Sequence, residues 1–469
     1  MSFETEIETI VGGKNILLAE SDMQGYLTEW RDKYEGRARA IIFPKSTEEV
    51  AAVVKICAAH KMPIVPQGGN TSLVGGSIPF DQGDEVIISL KRMNKIRDID
   101  LEGSTLTVEA GCILADLQKV AEENDHMFPL RIGSEGSCQI GGNISTNAGG
   151  VQVLHYGNTR EQILGLEVVL ADGNVWNGLT RLRKDNTGYD LKQLFIGGEG
   201  TLGIVTAAVV KMYPRPKYQQ LAMVAVPSVH AAIKLLSQAR KMSGDQVTAL
   251  ELIPRIAIDL VCKHVPDFND PMPARYDWQV LIELSSSATS DLSALMESIL
   301  EAGFETGDVL DAVIPASVSQ QQKLWSLREE ISGAQKPEGG SIKHDISVPI
   351  ANIAAFIERA DAALQKIIPG FRPVTFGHLG DGNLHYNPLQ PIDMDKQDFL
   401  NKWEEVSRVV HDITHELDGS ISAEHGIGRM KKNEIARYKS PIEINLMRKI
   451  KQALDPDNLL NPGKVLPDI

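Results

Sequence analysis

Two glycine-rich passages constrain this chain more than any other feature: "PQGGNTSLVGGS" at Pro66–Ser77 and "GSEGSCQIGGNISTNAGG" at Gly133–Gly150. Glycine lets a backbone approach a ligand closely, and a loop leaves its N–H groups free to converge on an anion. A single glycine cluster usually marks only a bend. Two in one region, each led in by strand-like sequence and the first carrying the hydroxyls of Thr71 and Ser72, suggest a pyrophosphate cradle. A literal GxGxxG also occurs at Gly198–Gly203, "GEGTLG". The nicotinamide fingerprint must open a helix, whereas "IVTAAVV" continues here as strand, so this match is a decoy.

Around the loops the sequence reads as one α+β domain, residues 38–216, preceded by an N-terminal helical arm over residues 1–37. Ser46 and Glu49 have capping-box spacing and open a helix expected to reach His60. A short strand, Ile64–Val65, feeds the first loop, and Leu114–Glu123 reads as a helix. "LGLEVVLADGNVW" reads as a hairpin turning at Asp172-Gly173.

Residues 217–425 follow a different grammar. "QLAMVAVP", "VTALELIP", "DWQVLIELSSS" and "TGDVLDAVI" are strands, with helices marked by Val229, Ile233 and Leu236 and by Leu292, Met296 and Ile299. That order is β-α-β-β-α-β, a ferredoxin-like unit. After a helical stretch containing "WSLREEISGAQ" the order returns: strand "IKHDISVP", helix Ala351–Lys366, strands "FRPVTFGH" and "NLHYNP", helix Asp398–Asp418 and strand "SISAEH". Residues 426–469 are expected to return to the first domain. The expected fold class is α+β, with a second domain built from two ferredoxin-like halves.

The formal charge of -15 argues against nucleic acid and anionic membranes as partners. It also requires that any acidic substrate be gripped by a local cationic site. Cys57, Cys112, Cys138 and Cys262 are scattered, which fits a reducing compartment and excludes haem-attachment and cysteine zinc-finger motifs. The first residues, "MSFETEIETIVGGKN", are acidic where a leader would be basic, and no apolar run is long enough to span a bilayer. A cytoplasmic location is therefore the default expectation.

"FGHLGDGNLHYN" places His378 and His385 about a glycine turn, since Gly377, Gly380 and Gly382 argue against a helix. With strand order 4-1-3-2 and the first and third strands parallel, four positions would meet at one end of the sheet. These are Lys343, His378, His385 and the pair Glu424-His425. Two imidazoles and a carboxylate suit a zinc-like divalent ion that keeps positions open. His385 and Asn387, two apart on a strand, face the same way. On spacing alone each histidine is as readily a turn cap. Arg328 and Ser332 share a helical face, yet beside Glu329 and Glu330 the simplest role for Arg328 is a surface ion pair.

"PQGGNTSLVGGS", "GCILADL", "GSEGSCQIGGNISTNAGG", "LRKDNTGYDLKQLFIGGEGTLGIVT" and "LNPGKVLP" resemble the FAD-linked oxidases of the vanillyl-alcohol-oxidase type, with their PCMH-type FAD-binding domain. Within that family the likeness is to the D-2-hydroxyglutarate and D-lactate dehydrogenase branch, over nearly the whole chain after about residue 36. The resemblance implies FAD with its diphosphate across both loops and its flavin at the junction with the second half, near Asn461 and Lys464. From the first loop it implies Pro66, Gly68, Gly69, Asn70, Thr71, Ser72, Gly75, Gly76 and Ser77 as cofactor contacts. From the second it implies Gly133, Ser134, Gly136, Ser137, Gly141, Gly142, Asn143, Thr146, Asn147, Gly149 and Gly150. Gly200, Gly203, Ile204 and Val205 complete the set. Covalent flavin in this superfamily usually uses a histidine or cysteine near the loops; Cys138 is the sole candidate in the second loop, and a non-covalent flavin is expected.

The same resemblance puts His378, His385 and Glu424 on the family's metal ligands and His425 on its catalytic base. Arg328, Ser332, Lys343 and Asn387 fall on substrate positions, where several members carry threonine in place of Ser332. The implied reaction is oxidation of a D-2-hydroxy acid to the 2-oxo acid, with hydride passing from C2 to flavin N5. An arginine, a lysine and a metal suit a dicarboxylate, so D-2-hydroxyglutarate, or D-malate, is favoured over D-lactate or glycolate. Electrons would leave to an acceptor such as electron-transfer flavoprotein or a quinone, and a homodimer is compatible with the sequence. The rival readings are a metallohydrolase, which leaves the glycine loops unexplained, and a flavin-binding scaffold without turnover.

Overall fold

The computed structural model describes residues 1–467. The chain forms two units: Met1–Gly149 with Gly157–Arg215 and the segment from Glu424 onward, and Gly150–Tyr156 with Pro216–Ala423.

In the first unit the strands Ala40–Ile42 and Ile64–Gln67 pair in parallel with Val86–Ser89 between them, and Ile16–Leu17 adds antiparallel at the edge. A second sheet is antiparallel, in the order Ile96–Asp100, Thr105–Glu109, Ile204–Lys211, Ile163–Val169, Val175–Gly178. One core joins them and takes in Phe3, Ile7 and Val11 of the N-terminal helix Phe3–Val11. The helix Thr47–Ala59 starts as its caps dictate, Ser46 Oγ accepting the Glu49 N–H at 3.3 Å. The Glu49 carboxylate reaches back to the Lys45 N–H instead of that of Ser46. Val169 pairs with Val175 across the Asp172-Gly173 hairpin. "GEGTLG" runs into the strand Ile204–Lys211, which removes the nicotinamide reading.

The second unit is one seven-stranded sheet, ordered Asp311–Val313, Tyr218–Val226, Trp278–Ser286, Val247–Pro254, Arg372–His378, Asn383–Leu389, His344–Ser347. The first half keeps the full ferredoxin-like order, and the second keeps it over three strands. The halves join through two residue pairs, Glu251 with His378 and Leu252 with Gly377. Helices Val229–Ser243, Leu292–Thr306, Ile353–Ile367 and Trp403–Glu416 bury one face through Leu252, Leu384, Tyr386 and Ile346. Helices Arg255–His264 and Val318–Ala334 cover part of the other, against Val374, Phe376 and Leu389.

Several local expectations need correction. His344–Ser347 and Asn383–Leu389, the first and third strands of the second half, are antiparallel, not parallel. The crossover through Ile353–Ile367 brings Arg372–His378 back parallel to the first strand, and the tight turn after His378 then reverses the third. Asp345 sits directly opposite His385, and Lys343 lies just before the strand that carries Asp345. "SISAEH" is not a strand; it contributes a single bridge, Ser347 to Ser420. The helix expected over Asp398–Asp418 breaks into Lys396–Leu400 and Trp403–Glu416. Inside the second glycine passage lies a helix, Ile140–Thr146, that its two glycines disguise.

Candidate active site

The cofactor positions sort by what their side chains already do. Gly69 serves the packing of loop on loop, because a Cβ there would lie 2.1 Å from the Ser137 carbonyl oxygen. Gly142 meets nothing within 4 Å and leaves open space above its backbone. Asn70 and Ser77 bond each other at 2.9 Å, and Asn70 Nδ2 donates to the Thr28 carbonyl, so these two shape the first loop. Thr146 Oγ1 donates to the Gly142 carbonyl, and Asn147 Oδ1 accepts the Arg160 N–H. Ile204 and Val205 are buried in the core. The second passage also buries two acceptors without a partner, Gln139 Oε1 and Asn143 Oδ1, which a donor-bearing cofactor would satisfy. Burial pushes the Cys138 thiol above its ordinary pKa, which works against covalent attachment there.

Two C-terminal positions act on the loops from behind. Asn461 Nδ2 donates to the carbonyls of Gly76 and Glu199 at 2.9 and 2.8 Å, tying the first loop to the "GEGTLG" turn. Lys464 is buried against Glu85 at 3.4 Å and over the Phe80 ring, and burial lowers its pKa to about 8. Glu199 was not expected from sequence: its carboxylate accepts the N–H groups of Ile427 and Gly428 at 2.7 and 2.8 Å. Arg429 and Met430 add backbone bonds to Val74 of the first loop. The turn just after His425 is therefore fixed to the glycine-loop framework.

In the second unit the strand pairings place Glu251, His378, Phe376, His385, Asn387 and Asp345 on one sheet face. The ligand atoms of His378 and His385 lie within 4.8 Å of one another. His378 Nδ1 is 2.6 Å from Glu251 Oε1, a contact in which the carboxylate favours a proton on Nδ1. The donor chemistry fits a divalent ion. Glu251 Oε2 accepts from Arg328 Nε at 2.7 Å, and the guanidinium lies 4.7 Å from the Phe376 ring centre. Burial works to raise the Glu251 pKa, but His378 and Arg328 outweigh it and hold the carboxyl near about 2. Arg328 is thus buried, not the surface ion pair its neighbours suggested, while Ser332 one turn on is exposed. Asn387 Nδ2 donates to Gln335 Oε1 at 3.2 Å, and Lys343 is half-buried. The Ala423 N–H donates to the Asp345 carbonyl at 3.3 Å.

Sequence reasoning missed Glu251 and Asp345. The signal for Glu251 is an acid alternating with Ala249 and Ile253 on a strand that is apolar apart from Thr248.

Comparison with known proteins identifies the family. Residues 38–178 match the family model described as FAD binding domain, and residues 215–465 that of FAD linked oxidases, C-terminal domain. The probable mitochondrial D-2-hydroxyglutarate dehydrogenase of Oryza sativa subsp. indica is 41% identical over 461 residues, 98% of this chain and 81% of that protein. The mitochondrial D-2-hydroxyglutarate dehydrogenase of Arabidopsis thaliana is 40% identical over 458 residues, 98% of this chain and 80% of its own. Among solved structures, substrate-bound p-cresol methylhydroxylase superposes with a TM-score of 0.78 over 99% of this chain and 96% of its own, at 19% identity, a likeness of fold. A glycine-loop FAD domain followed by the oxidase C-terminal domain defines a flavin-dependent oxidoreductase. The chain belongs to the FAD-linked oxidase family.

One expectation is overturned. Both plant relatives are named as mitochondrial, which speaks against the cytoplasmic default. The cytoplasmic default rested on the acidity of the first residues, the scattered cysteines and the lack of a bilayer-length apolar run, and none of these specifies a compartment.

Proposed function

We propose that this protein is an FAD- and divalent-metal-dependent dehydrogenase that oxidises D-2-hydroxyglutarate to the 2-oxo acid. The observation that carries the substrate class is the Glu251–Arg328 pair. Glu251 engages Nε, and among the described residues the two terminal nitrogens of Arg328 have no hydrogen-bond or ion-pair partner. That edge is the one with which an arginine grips a carboxylate bidentately. The same Glu251 holds His378, so a carboxylate grip and an imidazole ligand share one anchor. A dicarboxylic hydroxy acid needs both. The names of the rice and Arabidopsis relatives support the same substrate.

In this reading His378, His385 and Glu424 hold a zinc-like ion, and the two glycine loops hold FAD non-covalently. When bound, FAD accepts the hydride from C2, and the ion lowers the pKa of the C2 hydroxyl. Arg328 grips the distal carboxylate, assisted by Lys343 and Ser332, while Asn387 orients the substrate from the His385 face. His425 removes the hydroxyl proton, and its following turn, fixed by Glu199, keeps the ring in place. Electrons leave to an external acceptor such as electron-transfer flavoprotein or a quinone. Turnover of D-2-hydroxyglutarate, D-malate and D-lactate with an artificial acceptor tests the substrate: kcat/KM should fall in that order. A preference for D-lactate contradicts the dicarboxylate reading.

A further inference from the structure

Glu251 is fully buried, and each of its oxygens has a different cationic or imidazole partner. Oε1 faces His378 Nδ1 at 2.6 Å and Oε2 faces Arg328 Nε at 2.7 Å. This contact sits where the two halves of the sheet join, a seam only two residue pairs long. Glu251 and His378 come from different halves, and Arg328 from the helix Val318–Ala334 that links them. A carboxylate with one oxygen on each partner fixes two directions at once. It sets the imidazole plane of His378 and its Nδ1–H form, and it turns the Arg328 guanidinium so that its terminal edge points away from Glu251.

We propose that Glu251 is a positioning residue that couples metal affinity to recognition of the substrate's distal carboxylate. The inference rests on the reading of His378 as a ligand and of Arg328 as a carboxylate clamp. Glutamine has the same shape but only one acceptor oxygen, so it can satisfy His378 or Arg328 and must turn an amide N–H₂ toward the other. Either orientation leaves one of the two partners misdirected. An aspartate is one methylene too short to reach both. If Glu251 merely filled space at the seam, glutamine would serve as well.

The test uses the FAD-loaded full chain. Zinc affinity is measured by competition with a chromophoric chelator, beside kcat and KM for D-2-hydroxyglutarate and D-lactate, in wild type, Glu251→Gln and Glu251→Asp. Outer-sphere partners of ligating histidines typically contribute about 10- to 100-fold in metal affinity. Glu251→Gln is expected to weaken zinc binding by about 10-fold or more, and to raise KM for the dicarboxylate more than for D-lactate. Flavin content is expected to match wild type. Unchanged zinc affinity and an unchanged KM ratio in both variants overturn the inference. Wild type that binds no zinc in the competition refutes the metal reading beneath it, a distinguishable failure. Should both variants fail to fold, wild type labelled with 15N-histidine decides. A strongly downfield Nδ1–H resonance from His378, absent in His378→Gln, supports the proposal; a proton on Nε2 in its place overturns it.

Discussion

Glu199 Oε2 accepts the backbone N–H of Gly428 at 2.8 Å while its other oxygen takes that of Ile427. One buried carboxylate thus caps the turn that follows His425. Gly426 has φ +76, and a Cβ there would lie 2.7 Å from Glu199 Oε1, so the turn needs glycine at that point. Replacing Glu199 with alanine leaves two amide donors without their acceptor. At about 1–3 kcal/mol for each buried unsatisfied group, the expected loss is roughly 2–6 kcal/mol in urea unfolding. Glu199→Gln keeps one acceptor and should lose clearly less. Equal losses in the two variants would show that the carboxylate acts only by filling space.

In the proposed reaction the His425 ring takes the substrate proton, and the residues proposed to cradle the flavin are others. His425→Ala should therefore lower the rate of flavin reduction by about 100-fold or more, within the range for general-base removal, while FAD stays bound. Absorbance of the purified variant and stopped-flow reduction separate the two. Loss of flavin from the variant would make His425 a structural residue.

Arg328→Met removes the proposed carboxylate grip. Charge-assisted hydrogen bonds are worth about 1.5–3 kcal/mol, so kcat/KM for D-2-hydroxyglutarate should fall roughly 10- to 100-fold. The loss with D-lactate, which lacks the second carboxylate, should be much smaller. Parallel losses for the two substrates would place Arg328 in scaffolding alone.

The second unit also predicts an acid limb. Lys263, Arg372 and His264 all hydrogen-bond the Glu338 carboxylate and hold its pKa near about 2. A carboxyl whose folded pKa is depressed contributes stability above its unfolded pKa and loses it as pH falls toward the folded value. Stability should therefore decline between about pH 4.5 and pH 2 through this group. Glu338→Gln should flatten that part of the pH–stability curve and cost roughly 1–3 kcal/mol at neutral pH. A slope identical to wild type would remove Glu338 from the account.

Much of this was legible before any coordinates. The glycine passages, the hairpin at Asp172-Gly173 and the doubled β-α-β-β-α-β order are local signals, and local patterns survive in sequence. The exposed role expected of Arg328 failed because its partner, Glu251, lies 77 positions away and on another element. The single bridge at Ser420 failed as a strand because β-like composition cannot report whether a neighbouring edge accepts a full ladder. Helix Ile140–Thr146 was hidden by Gly141 and Gly142, whose cost in a helix is offset here by the burial of Ile140 and Ile144. The antiparallel setting of His344–Ser347 against Asn383–Leu389 follows from connectivity, because a helical crossover preserves strand direction and a tight turn reverses it.

The central claim is tested most directly by anaerobic mixing of the FAD- and zinc-loaded protein with each enantiomer of 2-hydroxyglutarate, following flavin absorbance. The account predicts full bleaching by the D enantiomer, none by the L enantiomer, and loss of bleaching after chelation with recovery on adding zinc. Flavin that stays oxidised with D-2-hydroxyglutarate in metal-replete protein would contradict it.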